Sequence, residues 1–284
     1  MPHLAYIVWN PDIVALHLGP VSLRWYALCW IMGLLLAYLV VQRLYRRQQL
    51  GDEKFEPLFL YCFVGILAGA RLGHCLFYEP TYFLSSWRHI IEMILPIHFA
   101  QDGSWSFTGY EGLASHGGTL GLMLALWLYV RRYRVPLLQV LDNIAIATPI
   151  CAFFIRMGNL MNSEIIGKPT YVPWAFIFER VDQMPRHPGQ LYEALAYLMF
   201  FFIGLAVYRR QSQRVGTGLF FGLCLTLIFT ARILLEYTKE AQEAFEHGMI
   251  LNMGQLLSIP FVLLGVWCMW RSRRKTDGQE KKNR

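Results

Sequence analysis

The chain has 284 residues, of which 55% are hydrophobic and only 16% are charged, and its mean hydropathy is +0.35. A soluble domain usually carries about 25% charged residues, so this composition excludes an ordinary water-soluble protein and indicates extensive contact with lipid. A net charge of +7 could suit nucleic acid. The basic residues, however, gather in alternate loops between apolar segments, which argues against that partner.

Seven apolar segments can cross a bilayer, for which about 20 residues suffice. They are 21–42, 55–78, 117–130 with its flanks, 137–160, 190–208, 216–237 and 253–270. We therefore predict an all-α integral membrane protein with about seven transmembrane helices, forming one multi-pass domain over residues 1–284. The first 20 residues lack Lys and Arg, so we expect the first span to remain as an anchor rather than to be cleaved as a signal peptide.

The distribution of positive charge predicts the orientation of the spans. Seventeen of the 26 Lys and Arg residues lie in 43–54, 131–134, 209–214 and 271–284. Under the positive-inside rule these segments face the cytoplasm. The N-terminus is then outside, and 270–284 forms a basic cytoplasmic tail. Residues 87–99 are too short to span and are expected at the outer interface. With the loops 101–115 and 162–188, they predict a small irregular cap on the outer, periplasmic face.

Polar residues inside the predicted spans gather at one level. A charge inside a bilayer costs at least about 2.5–3.5 kcal/mol, so each position calls for a reason. The polar residues at the outer ends of six spans are Arg71, His116, Arg156, Asn159, Asn162, Gln190, Glu193, Arg232, Glu236, Asn252 and Gln255. Asp142, at the inner end of the fourth span, is the exception. Their shared depth predicts a functional site in the outer half of the membrane.

Structural explanations compete at several of these positions. Arg232 and Glu236 are spaced i,i+4 and could neutralise each other. Arg71 could extend its guanidinium group to the membrane interface. A histidine such as His116, taken alone, is more often a structural residue. The arginines together nevertheless suit a phosphate, because guanidinium groups bind phosphate with forked donors. The chain contains no P-loop and no G-x-G-x-x-G, which favours a phospholipid headgroup over a nucleotide.

At the end of the fourth span, RMGNLMNSEIIG (156–167) resembles the R-x-G-N-x-x-N-G-E-x-x-G signature of bacterial phosphatidylglycerol–prolipoprotein diacylglyceryl transferases. Six further stretches agree in order and spacing across nearly the whole chain. They are LRWYAL (23–28), GARLGHCLFY (69–78), SHGG (115–118), RHPGQLYE (186–193), RILLE (232–236) and NMGQLLSIP (252–260).

The resemblance implies a reaction. The sn-1,2-diacylglyceryl group of phosphatidylglycerol moves to the lipobox cysteine of a prolipoprotein, a thioether forms and glycerol phosphate leaves. This is the first step of bacterial lipoprotein maturation, and it would take place in the bacterial cytoplasmic (inner) membrane. The implied partners are phosphatidylglycerol, prolipoprotein signal peptides and membrane lipids, with no nucleic acid, no cofactor and no metal.

The resemblance also implies roles for residues of this chain. Arg156 and Arg232 would bind the phosphate and stabilise its growing charge. Glu164 and Glu236 would orient these arginines, or one of them would act as the base. His116 is our hypothesis for the base that takes the thiol proton, with Glu164 as its rival. The expected lipid-binding set is Arg156, Arg232, Tyr26, Asn159, Gly167 and Arg71.

Three positions depart from the family pattern. Ser163 replaces the usual glycine before Glu164, Ile228 stands where some members have tyrosine, and Lys239 stands where many have arginine. Lysine is a point charge rather than a fork, which puts a headgroup contact at residue 239 in doubt. The alternative functions are another phospholipid-headgroup enzyme, or a small multi-pass transporter, whose inverted repeats and midplane site have no counterpart in this sequence. A purely structural membrane scaffold would leave the charges unexplained.

Overall fold

A computed structural model describes residues 6–18, 21–95, 97–100, 104–107, 112–240 and 251–282. Parts of the predicted loop 101–115 and the last two residues of the tail lie outside the described residues. The helices are α1 (Trp25–Arg47), α2 (Asp52–Phe77), α3 (Pro80–Phe83), α4 (Trp87–Ile94), α5 (Ser115–Tyr133), α6 (Leu137–Met161), α7 (Gly189–Gln211), α8 (Leu219–Leu235) and α9 (Met253–Lys282). Short 3₁₀ turns follow α7 at Ser212–Arg214 and α8 at Glu236–Thr238.

Short strands connect the helices. They are β1 (Ile7–Trp9), β2 (Val14–Leu18), β3 (Val21–Arg24), β4 (Ile97–Phe99), β5 (Trp105–Phe107), β6 (Phe176–Phe178) and β7 (Pro185–Arg186). Strand β6 lies between β1, to which it is parallel, and β7, to which it is antiparallel. The pairs β2–β3 and β4–β5 are separate antiparallel hairpins.

Six helices in the described part of the chain are long and apolar enough to cross a membrane: α1, α2, α6, α7, α8 and α9. They correspond to six of the seven predicted spans and confirm the helical, membrane-spanning class. The remaining predicted span is α5, a helix of 19 residues. Its first turn is polar and its last turn carries Arg131 and Arg132, which lowers its apolar character, so its crossing of the membrane stays a prediction.

The start of α1 and the end of α9 differ from the sequence prediction for identifiable reasons. The first span was expected from residue 21, but Val21–Arg24 pairs with β2 and the helix begins at Trp25. The last span was expected to end at residue 270, but α9 continues to Lys282 through the basic tail. Arg, Lys, Gln and Glu are good helix formers, so the polar sequence can continue a helix that the apolar segment has started.

The chain divides into two compact units: a larger one of residues 1–44 and 138–284, and a smaller one of Tyr45–Leu137. In the larger unit α1, α6, α7 and α8 share a buried cluster, formed by Leu44, Ile146, Tyr208, Leu219 and Phe220. The prediction of a single domain over the whole chain remains a prediction.

Asp142, the exception in the predicted polar level, has a structural role in the larger unit. Its carboxylate accepts hydrogen bonds from the backbone N–H groups of Gly216, Gly218 and Phe221, at 2.8 to 3.0 Å. These groups lie at the start of α8, where backbone donors have no partner within the helix. Asp142 therefore ties α6 to the beginning of α8.

In the smaller unit, α2 and α5 approach through glycines spaced four residues apart. Gly65, Gly69 and Gly73 on α2 face Gly117 and Gly121 on α5, and a Cβ added at any of them would come within 2.0–2.7 Å of an atom of the other helix. Such small-residue spacing lets transmembrane helices pack with their backbones in contact. Helix α5 can therefore lie this close to α2 only because these positions carry no side chain.

The smaller unit also buries one carboxylate, Glu92 of α4. Its oxygens accept hydrogen bonds from the Tyr82 hydroxyl at 2.8 Å and from the Phe99 N–H at 2.6 Å. Burial by itself would raise the pKa of Glu92, but these hydrogen bonds outweigh it and hold the pKa below its usual range. Burial and the bond to Glu92 raise the pKa of Tyr82 to about 12.

Candidate functional site

A chain of buried charges links three elements of the larger unit. Glu193, on the first turns of α7, is 1% exposed and lies between two cations. Its Oε2 is 2.5 Å from Nε of Arg156 near the end of α6. Its Oε1 accepts a hydrogen bond of 2.7 Å from Nζ of Lys239, which follows α8 and is 5% exposed. Both oxygens of one carboxylate are thus committed to different cations.

Amide groups surround the carboxylate of Glu164, just beyond the end of α6. Asn159 donates to its Oε2 and Asn162 to its Oε1, both at 3.0 Å. Nη1 of Arg156 donates to Oδ1 of Asn159 at 3.0 Å, so Asn159 stands between Arg156 and Glu164. Arg156 and Asn162, which the sequence places at the same level as Asn159, are thus linked through Asn159 and Glu164. The carboxylate in direct contact with Arg156 is Glu193 rather than Glu164.

The backbone before and after Glu164 is unusual. Ser163 and Ile165 both have φ of +56°, the left-handed region that side chains disfavour. The departure at Ser163 therefore falls on a position where glycine would be free of strain. The Ser163 hydroxyl is buried and has no hydrogen-bond partner among the described residues. The Glu164 carbonyl accepts a bond of 2.6 Å from Gln190 Nε2, which fixes the turn.

Gly167 lies against backbone on two sides. Its N–H donates to the His187 carbonyl at 2.9 Å, and it forms an antiparallel bridge with Lys239. A Cβ at this position would stand 2.6 Å from both the His187 and Thr238 carbonyl oxygens. The close approach at Gly167 is therefore to protein backbone.

Arg232 and Glu236 do not form the ion pair that their spacing allows. Glu236 is buried and lies 3.5 Å from Lys239 Nζ. The Arg232 side chain is exposed, and no carboxylate in the described part of the chain pairs with it. The Tyr197 hydroxyl lies near the charges of Arg156, Arg232 and Glu193, which places Arg232 in the same neighbourhood as the buried chain of charges.

Tyr26, on the first turn of α1, packs against α6. A Cβ at Gly158 would come within 2.9 Å of the Tyr26 ring. This contact joins α1 to α6 within the signature segment 156–167. The sequence grouped Tyr26 with the lipid-binding residues, and the fold gives it a packing contact there.

A loop network lies beside Gly167. Arg186 forms an ion pair of 2.5 Å with Asp182 and one of 3.1 Å with Glu240, and its Nη1 donates to the Gly167 carbonyl at 3.3 Å. The Arg186 guanidinium holds the pKa of the Asp182 carboxyl below its usual range. Burial lowers the pKa of His187, whose Nδ1 lies 3.1 Å from the Tyr192 hydroxyl.

The two remaining predicted site residues belong to the smaller unit. His116 is exposed on the first turn of α5, beside the tightly packed Gly117. Arg71 is 9% exposed, donates to the Glu92 carbonyl at 2.8 Å and stands over the ring of Phe83 at 5.0 Å. The Arg71 guanidinium therefore packs inside the smaller unit. It does not extend to the interface, which was the alternative explanation for this residue.

Glu193, Lys239 and Gln190 complete the arrangement, and the sequence alone gives them no role. In the sequence, Glu193 and Gln190 stand out only by their depth, and Lys239 only as a departure from the family pattern. The signal that could have found them is charge balance, because Arg156 needs a carboxylate within the membrane and Glu193 lies on an adjacent predicted span. Among the residues that the structure describes, no group of three His, Cys, Asp or Glu side chains converges as a metal site would require.

Comparison with known proteins identifies the family of the chain. The family model described as prolipoprotein diacylglyceryl transferase matches residues 13–271. The chain belongs to this family. It is 57% identical over 267 residues to the phosphatidylglycerol–prolipoprotein diacylglyceryl transferase of Bacteroides fragilis, covering 94% of this chain and 95% of the relative.

More distant relatives carry the same name. The transferase of Tolumonas auensis is 43% identical, covering 95% of this chain and 98% of the relative. That of Chloroherpeton thalassium is 40% identical, covering 96% and 97%. The resemblance inferred from the motifs is therefore confirmed along nearly the full length of this family member.

Proposed function

We propose that this chain transfers the sn-1,2-diacylglyceryl group of phosphatidylglycerol to the lipobox cysteine of prolipoproteins, the first step of lipoprotein maturation. Membership of the family supports the reaction, and the relatives' name specifies phosphatidylglycerol and prolipoprotein. The lipobox cysteine as acceptor follows from the motif resemblance.

The observation that carries the proposal is that Arg156 and Arg232 differ in their ion-pair partners. Arg156 is held by Glu193 and Asn159, whereas Arg232 has no carboxylate partner within the described residues. An arginine without a counter-ion in a membrane-spanning helix is costly, and an anionic ligand would remove that cost. Arg232 is thus the first candidate for the phosphate of phosphatidylglycerol, with Arg156 as a fixed second cation.

The reaction is a substitution at saturated carbon. The cysteine sulfur forms a bond to C3 of the diacylglyceryl group while the bond from that carbon to the phosphate oxygen breaks. The electron pair leaves on that oxygen, so the phosphodiester becomes a phosphate monoester and gains negative charge. Positively charged donors fixed before the reaction stabilise such charge, which is often the largest catalytic contribution.

A base must take the thiol proton, because the thiolate is the nucleophile and an ordinary cysteine has a pKa of about 8.5. We assign this role to His116, whose side chain is exposed at the start of α5. Glu164 is the alternative. Its two oxygens already accept hydrogen bonds from Asn159 and Asn162, so a bond would have to be given up before either oxygen could take the proton.

The proposal includes the orientation and location of the protein. The alternating basic segments favour seven spans including α5, an outer N-terminus, a cytoplasmic C-terminus and a periplasmic cap. The membrane would be the bacterial cytoplasmic (inner) membrane, with the whole chain acting as one domain. Tyr26, Asn159, Gly167 and Arg71 complete the proposed lipid-binding set.

A direct assay tests the function. Purified full-length protein in detergent is mixed with phosphatidylglycerol and a lipobox peptide, and the release of glycerol phosphate is measured. We expect release that requires the peptide cysteine. A matched peptide with serine in place of cysteine provides the control.

The other outcomes separate the competing functions. Release that continues with the serine peptide would identify a phospholipid-headgroup enzyme instead. If no glycerol phosphate is released under any condition, the transferase assignment is refuted, and lipid transport into vesicles becomes the next measurement.

A further inference from the structure

We propose that Lys239 is a positioning residue for catalysis: it fixes the Glu193 carboxylate, and Glu193 in turn holds the Arg156 guanidinium. This inference rests on the proposed function, because Arg156 is taken to act on the phosphate. It assigns to Lys239 and Glu193 a role that concerns protein contacts only.

The geometry carries the first step. Lys239 Nζ donates to Glu193 Oε1 at 2.7 Å, and Glu193 Oε2 lies 2.5 Å from Arg156 Nε. A carboxylate held at one oxygen can rotate, but one held at both cannot do so without losing a contact. The position of Arg156 Nε is therefore coupled to the presence of a cation at residue 239.

Burial makes the coupling strong. Glu193 is 1% and Lys239 5% exposed, so water cannot replace either partner. A second carboxylate, Glu236, lies 3.5 Å from the same ammonium. Without the lysine, the buried carboxylates of Glu193 and Glu236 would lose the cation that lies between them. Glu193 would then be free to turn its second oxygen towards Arg156, and the guanidinium would shift.

The backbone supplies an anchor for the lysine. Lys239 forms an antiparallel bridge with Gly167, and a side chain at Gly167 would collide with the Thr238 carbonyl. The turn after α8 is thereby held against the turn after α6. Lys239 therefore starts from a fixed backbone position, which a positioning residue requires.

The test compares variants of full-length protein in the transfer assay, with kcat and KM for phosphatidylglycerol measured separately. We expect Lys239→Met to lower kcat by about 10²-fold with little change in KM, because a misplacement of about 1 Å in a catalytic group has that effect. Lys239→Arg keeps the charge and should restore most of kcat. Lys168→Met removes an exposed lysine nearby and should behave like wild type.

Coupling is measured with Glu193→Gln. If Lys239 acts through Glu193, adding Lys239→Met to the Glu193→Gln variant should lower kcat no further, because the effects of coupled residues are not additive. Effects that multiply in the double variant would overturn the assignment, as would a Lys239→Met enzyme with near-normal kcat. Circular dichroism and thermal unfolding in detergent identify loss of fold, and Lys239→Arg keeps the test valid if Lys239→Met unfolds.

The two proposals fail differently. An inactive wild-type protein refutes the proposed function. An active wild type with an equally active Lys239→Met variant refutes the role of Lys239 and leaves the proposed function standing.

Discussion

The packing of α2 against α5 gives a quantitative prediction for Gly121→Ala. The added Cβ would stand 2.0 Å from the Gly65 carbonyl oxygen and 2.9 Å from the Gly69 Cα, whereas ordinary contact begins at 3.4 Å. The helices must therefore separate locally by about 1.4 Å, the difference between 3.4 and 2.0 Å. Backbone cannot rotate out of the way as a side chain can. Overpacking of this kind costs about 1–3 kcal/mol, and we expect the upper end of that range.

The assay is reversible unfolding of the purified full-length protein in detergent micelles, and the chain supplies two controls. At Gly118 of the same helix, the nearest atom to an added Cβ is 3.4 Å away, and at Gly204 of α7 no atom lies within 4 Å. Alanine should be tolerated at both, and it should stabilise α7 by about 0.5–1 kcal/mol at Gly204, because glycine is unfavourable within helices. Equal unfolding free energies for the Gly121 and Gly118 variants would refute the close packing of α2 and α5.

Further predictions concern single side chains. Arg232→Lys should lower kcat/KM on the order of 10²-fold despite keeping the charge, and near-normal turnover would contradict a forked phosphate contact. His116→Gln should lower kcat strongly at neutral pH, because the thiol would lose its base, and near-normal turnover would move the base role to Glu164. Ser163→Gly should raise the unfolding free energy by about 1 kcal/mol, since residue 163 has positive φ; a loss of stability would show that the serine is favoured there. The pKa of Glu92 is lowered in the folded state. The ionised carboxylate therefore stabilises the fold at pH values above the unfolded pKa, near 4.5, and this stabilisation is lost as the pH falls through the folded pKa. Glu92→Gln should flatten that acid limb in thermal unfolding.

Hydrophobicity and length predicted the helical class because those properties are local. Six spans were predicted close to their observed positions, since a stretch of about 20 apolar residues has few alternatives to a membrane helix. The start of α1 was missed by four residues because Val21–Arg24 pairs with β2, a tertiary contact that competes with an apolar pattern. The close packing of α2 on α5 was also missed, although the four-residue spacing of Gly65, Gly69 and Gly73 carried the signal.

The candidate site was predictable as a set of residues at one depth, but its pairings were not. Spacing along a helix suggested Arg232 with Glu236, whereas Glu236 lies against Lys239 and Arg232 is left without a carboxylate among the described residues. The spacing of residues along one helix identifies only partners on that same helix. The larger unit brings α6, α7 and the end of α8 together, and partners from different helices displace the local one.

Lys239 shows how such a pairing changes the meaning of a substitution. At a headgroup contact, lysine in place of arginine would lose a forked pair of donors. At residue 239, however, the ammonium is buried within reach of two protein carboxylates, Glu193 and Glu236. A compact charge with three rotatable donors can meet two separate acceptors, and no planar ligand has to be matched. The departure from the family pattern is therefore compatible with the same reaction and with the proposed phosphate contacts of Arg156 and Arg232.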